Sequence, residues 1–149
     1  MQSMYGAIRD ITESIFANVL GLEISEAESA PGGVVPALAG RVQITGAFEG
    51  SVSLRCSGGL ARRAASILFA TEEAETRQED AHEVVAELAN MAGGNIKALM
   101  AEPSLLSLPA VAEDLDWADS EPGSHLISAV SFECLGEPVR VALLARARA

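Results

Sequence analysis

Glu87-Leu88-Ala89-Asn90-Met91-Ala92-Gly93-Gly94-Asn95 is the stretch around which the chain is organised. Apolar residues recur about it at steps of three and four, which predicts an amphipathic helix over residues 77 to 101. On a helical projection Val84, Val85, Leu88, Met91, Ala92, Ile96 and Leu99 fall on one side. Glu83, Glu87, Asn90, Gly94 and Lys97 form a narrow stripe on the other. A helix that buries one face leaves the opposite face to water. Glu87 and Asn90, one turn apart, are therefore expected to project side by side into solvent. Gly93 and Gly94 follow at once, although a glycine costs roughly 1 kcal/mol in a helix interior. The pair is expected to leave the surface beside Asn90 bare, so that another molecule can approach the backbone. Taken alone, Glu-x-x-Asn is most often only a solvated helix face. The glycines and the rest of the chain give it weight.

The 149 residues suit a single domain spanning 1–149 with a sizeable core. Aromatic residues make up only 4% of the chain, so that core must be built from Val, Leu, Ile and Ala. The net charge of −11 argues against nucleic acid, which needs clustered Lys and Arg, and against anionic membranes. No apolar run is long enough to span a bilayer. Arg9, Asp10 and Glu13 stand where a signal peptide needs apolar residues, so a cytoplasmic location is expected. Cys56 and Cys134 lie in alternating stretches without metal-ligand spacing. They read as two reduced, packed thiols, with a disulfide between them as the alternative.

Residues 3 to 20 predict a first helix, with Met4, Ile8, Ile11, Ile15 and Val19 on one face and Gly21 as its stop. A short acidic strand is expected over Leu22 to Ser29, followed by the turn Pro31-Gly32-Gly33. Val34 to Thr45 and Ser51 to Ser57 predict a hairpin joined through Gly46 to Gly50. Gly58-Gly59 opens a short helix over Leu60 to Ala70. Beyond the central helix, Ser104 to Val111 is extended and interrupted by Pro109. Residues 112 to 123 form an acidic exposed loop containing Trp117, the single tryptophan. His125 to Cys134 and Val139 to Ala145 predict a second hairpin.

The two halves look alike. Phe16-Ala17-Asn18-Val19-Leu20-Gly21 matches Leu88-Ala89-Asn90-Met91-Ala92-Gly93, and each helix precedes an extended segment and a hairpin. In this register Asn18 stands opposite Asn90 and Ile15 opposite Glu87, so the Glu-x-x-Asn pair occurs once. The expected fold is α+β: an antiparallel β-sheet with two long helices packed on one face and a pseudo-twofold internal repeat.

Glu87 to Lys97, followed by Leu106-Ser107-Leu108-Pro109-Ala110-Val111, resembles the CheX branch of the CheC/CheX/FliY chemotaxis phosphatases. Phe16 to Glu23 resembles the opening of the same domains, so the likeness covers essentially the whole chain. It implies a phosphatase that removes phosphate from the aspartyl phosphate of a CheY-like response regulator. Catalytic roles then fall to Asn90, which would hold a water in line with phosphorus, and to Glu87, which would pair with a lysine of the partner. Glu83, Gly93, Gly94 and Lys97 would complete the partner-binding surface. The resemblance implies no cofactor of the chain's own, with Mg²⁺ on the partner, and a homodimer joined through strands. An amide cannot act as a base but can orient the attacking water, and phosphoryl transfer asks mainly for positioning. The chain departs from the family at Glu83, where an Asp or Ser is usual, and matches its downstream proline only approximately with Pro109.

Other residues carry less. His82 and His125 are far apart and near no cysteine pattern, so no metal site is expected. Asn95 falls near the apolar face and is expected to tie down a neighbouring loop. Gly58-Gly59 lacks the Lys-Ser/Thr of a phosphate-binding loop. Three functions remain: the phosphatase, a module that binds a receiver without turnover, and a scaffold.

Overall fold

The computed structural model describes residues 3–27, 37–113 and 121–147. Helix α1 (Met4–Ile15) is capped by the Ser3 hydroxyl, which accepts from the Gly6 amide. It runs into a π-helical turn, Phe16–Leu20, closed by Gly21 at φ 66°, a left-handed geometry that glycine adopts without strain. The strands are β1 (Ser25–Ala27), β2 (Ala37–Gly46), β3 (Gly50–Ser57), β4 (Ser104–Leu106), β5 (Ala110–Ala112), β6 (Ser124–Cys134) and β7 (Glu137–Arg146). Between them lie α2 (Gly58–Leu68) and α3 (Gln78–Lys97).

Every strand pairing is antiparallel, in the order β1-β6-β7-β3-β2-β4, with β5 also on β2. One face of this sheet makes the core. Leu38, Val42 and Ile44 of β2 face it, with Val52, Leu54 and Cys56 of β3, Val130, Phe132 and Cys134 of β6, and Val139, Val141 and Leu143 of β7. Polar residues alternate with them in β3 and β6, whereas Ala142 and Leu144 of β7 are apolar and buried as well. The core-facing residues form one cluster with Ile8, Ile15 and Phe16 of the first helix and Val84, Val85, Leu88, Ala92 and Ile96 of α3. The expected α+β architecture is thus observed. α3 lies over β2 and β3 and packs against both α1 and α2.

Several boundaries differ from the sequence reading. α3 ends at Lys97 instead of 101, because Ala98 to Met100 turn away and leave Leu99 exposed. The first strand is only three residues long among the described residues. The interruption expected at Pro109 is observed, with two short strands separated by Ser107 to Pro109. The turn at 31–33 and Trp117 lie outside the described residues. Each short strand after a long helix pairs with the hairpin of the other half, β1 with β6 and β4 with β2. The sequence repeat is a separate matter. Ile15, opposite Glu87, is buried, and Asn18, opposite Asn90, sits in a π turn.

Candidate functional site

α3 is built to begin and end where it does. The Asp80 carboxylate accepts the Arg77 amide at 3.0 Å, which satisfies a donor that the first turn leaves open. Glu79 and Asp80 in the first turn and Lys97 in the last both complement the helix dipole. Ala81, Val84, Val85, Leu88, Ala89, Ala92, Gly93 and Ile96 are buried, so the helix is anchored along its whole length.

The opposite side carries the stripe. Glu83 and Glu87 are exposed, while Asn90, Gly94 and Lys97 are half-buried. Among the described residues, the side chains of Glu83, Glu87, Asn90 and Lys97 make no hydrogen bond or ion pair with the protein. Other asparagines are used internally. Asn18 donates to the Ser14 hydroxyl at 3.0 Å, and Asn95 donates to the Met91 carbonyl at 2.8 Å. The latter corrects the loop-tethering role expected for Asn95: it is exposed and bonds back within its own helix.

Gly93 requires a second correction. It is buried and adds no bare surface beside Asn90: a Cβ built on it would collide with Val42 Cγ2. A glycine is needed there because the helix backbone sits directly on the strand. Gly94 is nearer the surface, where a Cβ would meet Leu106 Cδ2 at 3.9 Å, an ordinary contact. Sequence reasoning missed the counterparts of this approach, Gly40, Val42 and Leu106. The available signal was Gly40 inside an apolar strand, which marks a place where another backbone comes close.

Among the described residues no three His, Cys, Asp or Glu side chains converge as a metal cluster would require. His82 instead lies 3.5 Å from Glu113, which also accepts from Gln78 at 2.8 Å. Cys56 and Cys134 are free and buried. Burial pushes the Cys56 thiol up to about 12 and raises Cys134 as well, so neither is a nucleophile at neutral pH. Cavities bordered by Glu13, Glu23 and Glu133, and by Arg77, Gln78, Glu79 and His82, do not include the stripe. No described helix is long and apolar enough to cross a membrane.

The described residues thus form a single antiparallel sheet under helices, one of which presents the Glu87 and Asn90 side chains to solvent with no partner among those residues. The family model "Chemotaxis phosphatase CheX" matches residues 38–133, more than half of the chain, and the chain belongs to that family. The fold matches solved structures at low identity. Chemotaxis protein CheX from Vibrio vulnificus is 17% identical with a TM-score of 0.73, over 95% of each chain. A CheC-like protein from Shewanella sp. PV-4 is 15% identical with a TM-score of 0.70, over 96% of this chain and 99% of that one. A chain of the CheX–CheY–BeF3–Mg²⁺ complex from Borrelia burgdorferi is 22% identical with a TM-score of 0.68, over 95% and 96%. No curated protein sequence matches the chain.

Proposed function

We propose that this protein dephosphorylates the aspartyl phosphate of a CheY-like receiver domain. The observation that carries the reading is the state of Glu87 and Asn90: adjacent on a fully anchored helix, reachable from solvent, and engaged by no other described side chain. Family membership and the likeness to the chain of a CheX–CheY complex support it.

In this reading Asn90 enters the partner's phosphorylation site and holds a water in line with phosphorus. Its carboxamide both accepts and donates, so it can orient a water without removing a proton. An acyl phosphate needs no strong base, and most of the acceleration comes from placing the nucleophile. Glu87, one turn earlier, pairs with a partner lysine and fixes the register. Glu83 and Lys97 extend the contact along the same stripe. The family resemblance assigns Mg²⁺ to the partner, where it would neutralise phosphoryl charge. The homodimer rests on the resemblance alone and is not needed for this chemistry, since both residues come from one helix.

The test is phosphate release from a phosphorylated CheY-type receiver with Mg²⁺, comparing this protein with its Asn90→Ala variant. Acceleration by the native protein that disappears in the variant is expected. Absence of acceleration with every receiver of the same organism would leave the binding module or scaffold as the better description.

A further inference from the structure

We infer that Gly93 and Gly40 are positioning residues that set the height of Asn90 above the sheet. This rests on the reading of α3 as the phosphatase helix. The two glycines make reciprocal contacts between α3 and β2. A Cβ on Gly40 would lie 2.9 Å from Val85 O and 2.9 Å from Ala89 Cβ, so the strand yields room to the helix there. One turn further along, the helix yields room to the strand, because a Cβ on Gly93 would run into Val42 Cγ2.

Neither glycine has a positive φ, so space rather than backbone conformation excludes a side chain at both. The two contacts bracket Asn90 from beneath, through Ala89 before it and Gly93 after it. Val42 has little freedom to retreat. It is fully buried and paired with Val52 of β3 in the middle of the sheet. Leu106 closes the third side, 3.4 Å from the position of a Gly93 Cβ.

Carbon atoms in contact stand about 3.5–4.0 Å apart. A methyl group on Gly93 therefore lifts this end of α3 by on the order of 1 Å, while the Gly40 contact holds the preceding turn. Asn90 would tilt with it. Misplacement of that size by a residue that touches no substrate is enough to cost about 100-fold in rate. Glu87 lies on the turn that Gly40 holds, so docking should change less than turnover.

The experiment compares Gly93→Ala with Gly93→Ala/Val42→Ala, in which the shortened Val42 side chain makes room for the added methyl. Crystal structures and steady-state kinetics on a phosphorylated receiver are measured for both. The single variant is expected to show a displaced α3, kcat reduced at least tenfold and KM changed less than about threefold. The double variant is expected to restore both the helix position and most of kcat. If the single variant does not fold, a folded and active double variant supports the same contact. An unmoved α3 in Gly93→Ala, unchanged kcat, or a double variant no better than the single one would overturn the inference. If the native protein has no phosphatase activity, that reading falls, and helix position in the structures alone decides the role of the glycines.

Discussion

Glu83 and Glu87 stand one turn apart on the exposed side of α3, and no described cation is paired with either. Like charges at this spacing destabilise a helix by roughly 0.2–0.5 kcal/mol. Folding alone gives no reason to keep them, whereas a cationic partner does. Glu83→Gln is therefore expected to raise stability by about 0.3 kcal/mol at low salt, with the gain vanishing as salt screens the pair. Glu87→Gln should relieve the same repulsion but weaken receiver binding severalfold. Denaturant melts at two ionic strengths, together with calorimetric titration of a receiver, separate the two effects.

Asn90 has the same logic in a neutral side chain. It is a poorer helix former than alanine, and nothing described in the protein bonds its amide. Asn90→Ala should leave the protein as stable as before or more stable by up to about 0.5 kcal/mol. Loss of a group that orients the reacting atoms should cost about 100-fold or more in phosphate release. Asn90→Asp preserves shape but brings an anion toward phosphate, so it should lose turnover and also bind the phosphorylated receiver less tightly. A thermal melt and a kinetic trace on each variant check both halves.

The parts of this molecule that were legible in the sequence are those set by local periodicity. The three- and four-residue spacing from Val84 to Ile96 placed α3 and its polar stripe, and the alternation at Val52-Leu54-Cys56 placed a core strand. What escaped was set by contacts distant in sequence. Gly93 read as an opening on the surface because a helical projection says nothing of how near β2 comes beneath it. No local signal marks the π turn at Phe16–Leu20.

Leu88 follows Glu87 directly and is almost fully buried, so it anchors the helix beneath the stripe. Leu88→Ala should cost about 3 kcal/mol, the combined loss of apolar burial and the cavity left behind. It should lower the melting temperature by several degrees. The surviving folded fraction should keep near-native receiver affinity, because Glu87 faces the other way. Loss of affinity in step with loss of fold in the melt would be consistent with an anchor, whereas loss of affinity in fully folded protein would place Leu88 in the interface instead.

The Cys56 thiol supplies a pH dependence whose sign follows from burial. Desolvation, with smaller contributions from Cys134 and Glu137, pushes it from 9.0 up to about 12 in the folded chain. The unfolded chain releases this proton near 9.0, while the folded chain retains it. Above that pH the unfolded state binds fewer protons, so stability is intact below 9.0 and falls between 9.0 and about 12. The steepest slope that one such group imposes is about 1.4 kcal/mol per pH unit. Denaturant midpoints measured from pH 8 to 10.5 should therefore decline in the native protein and decline less in Cys56→Ala. Thiol-labelling reagents should meanwhile react with Cys56 no faster than the protein opens, since the reactive thiolate forms only once the site is exposed to water. Rapid labelling of the folded protein at neutral pH would contradict both the burial and the predicted slope.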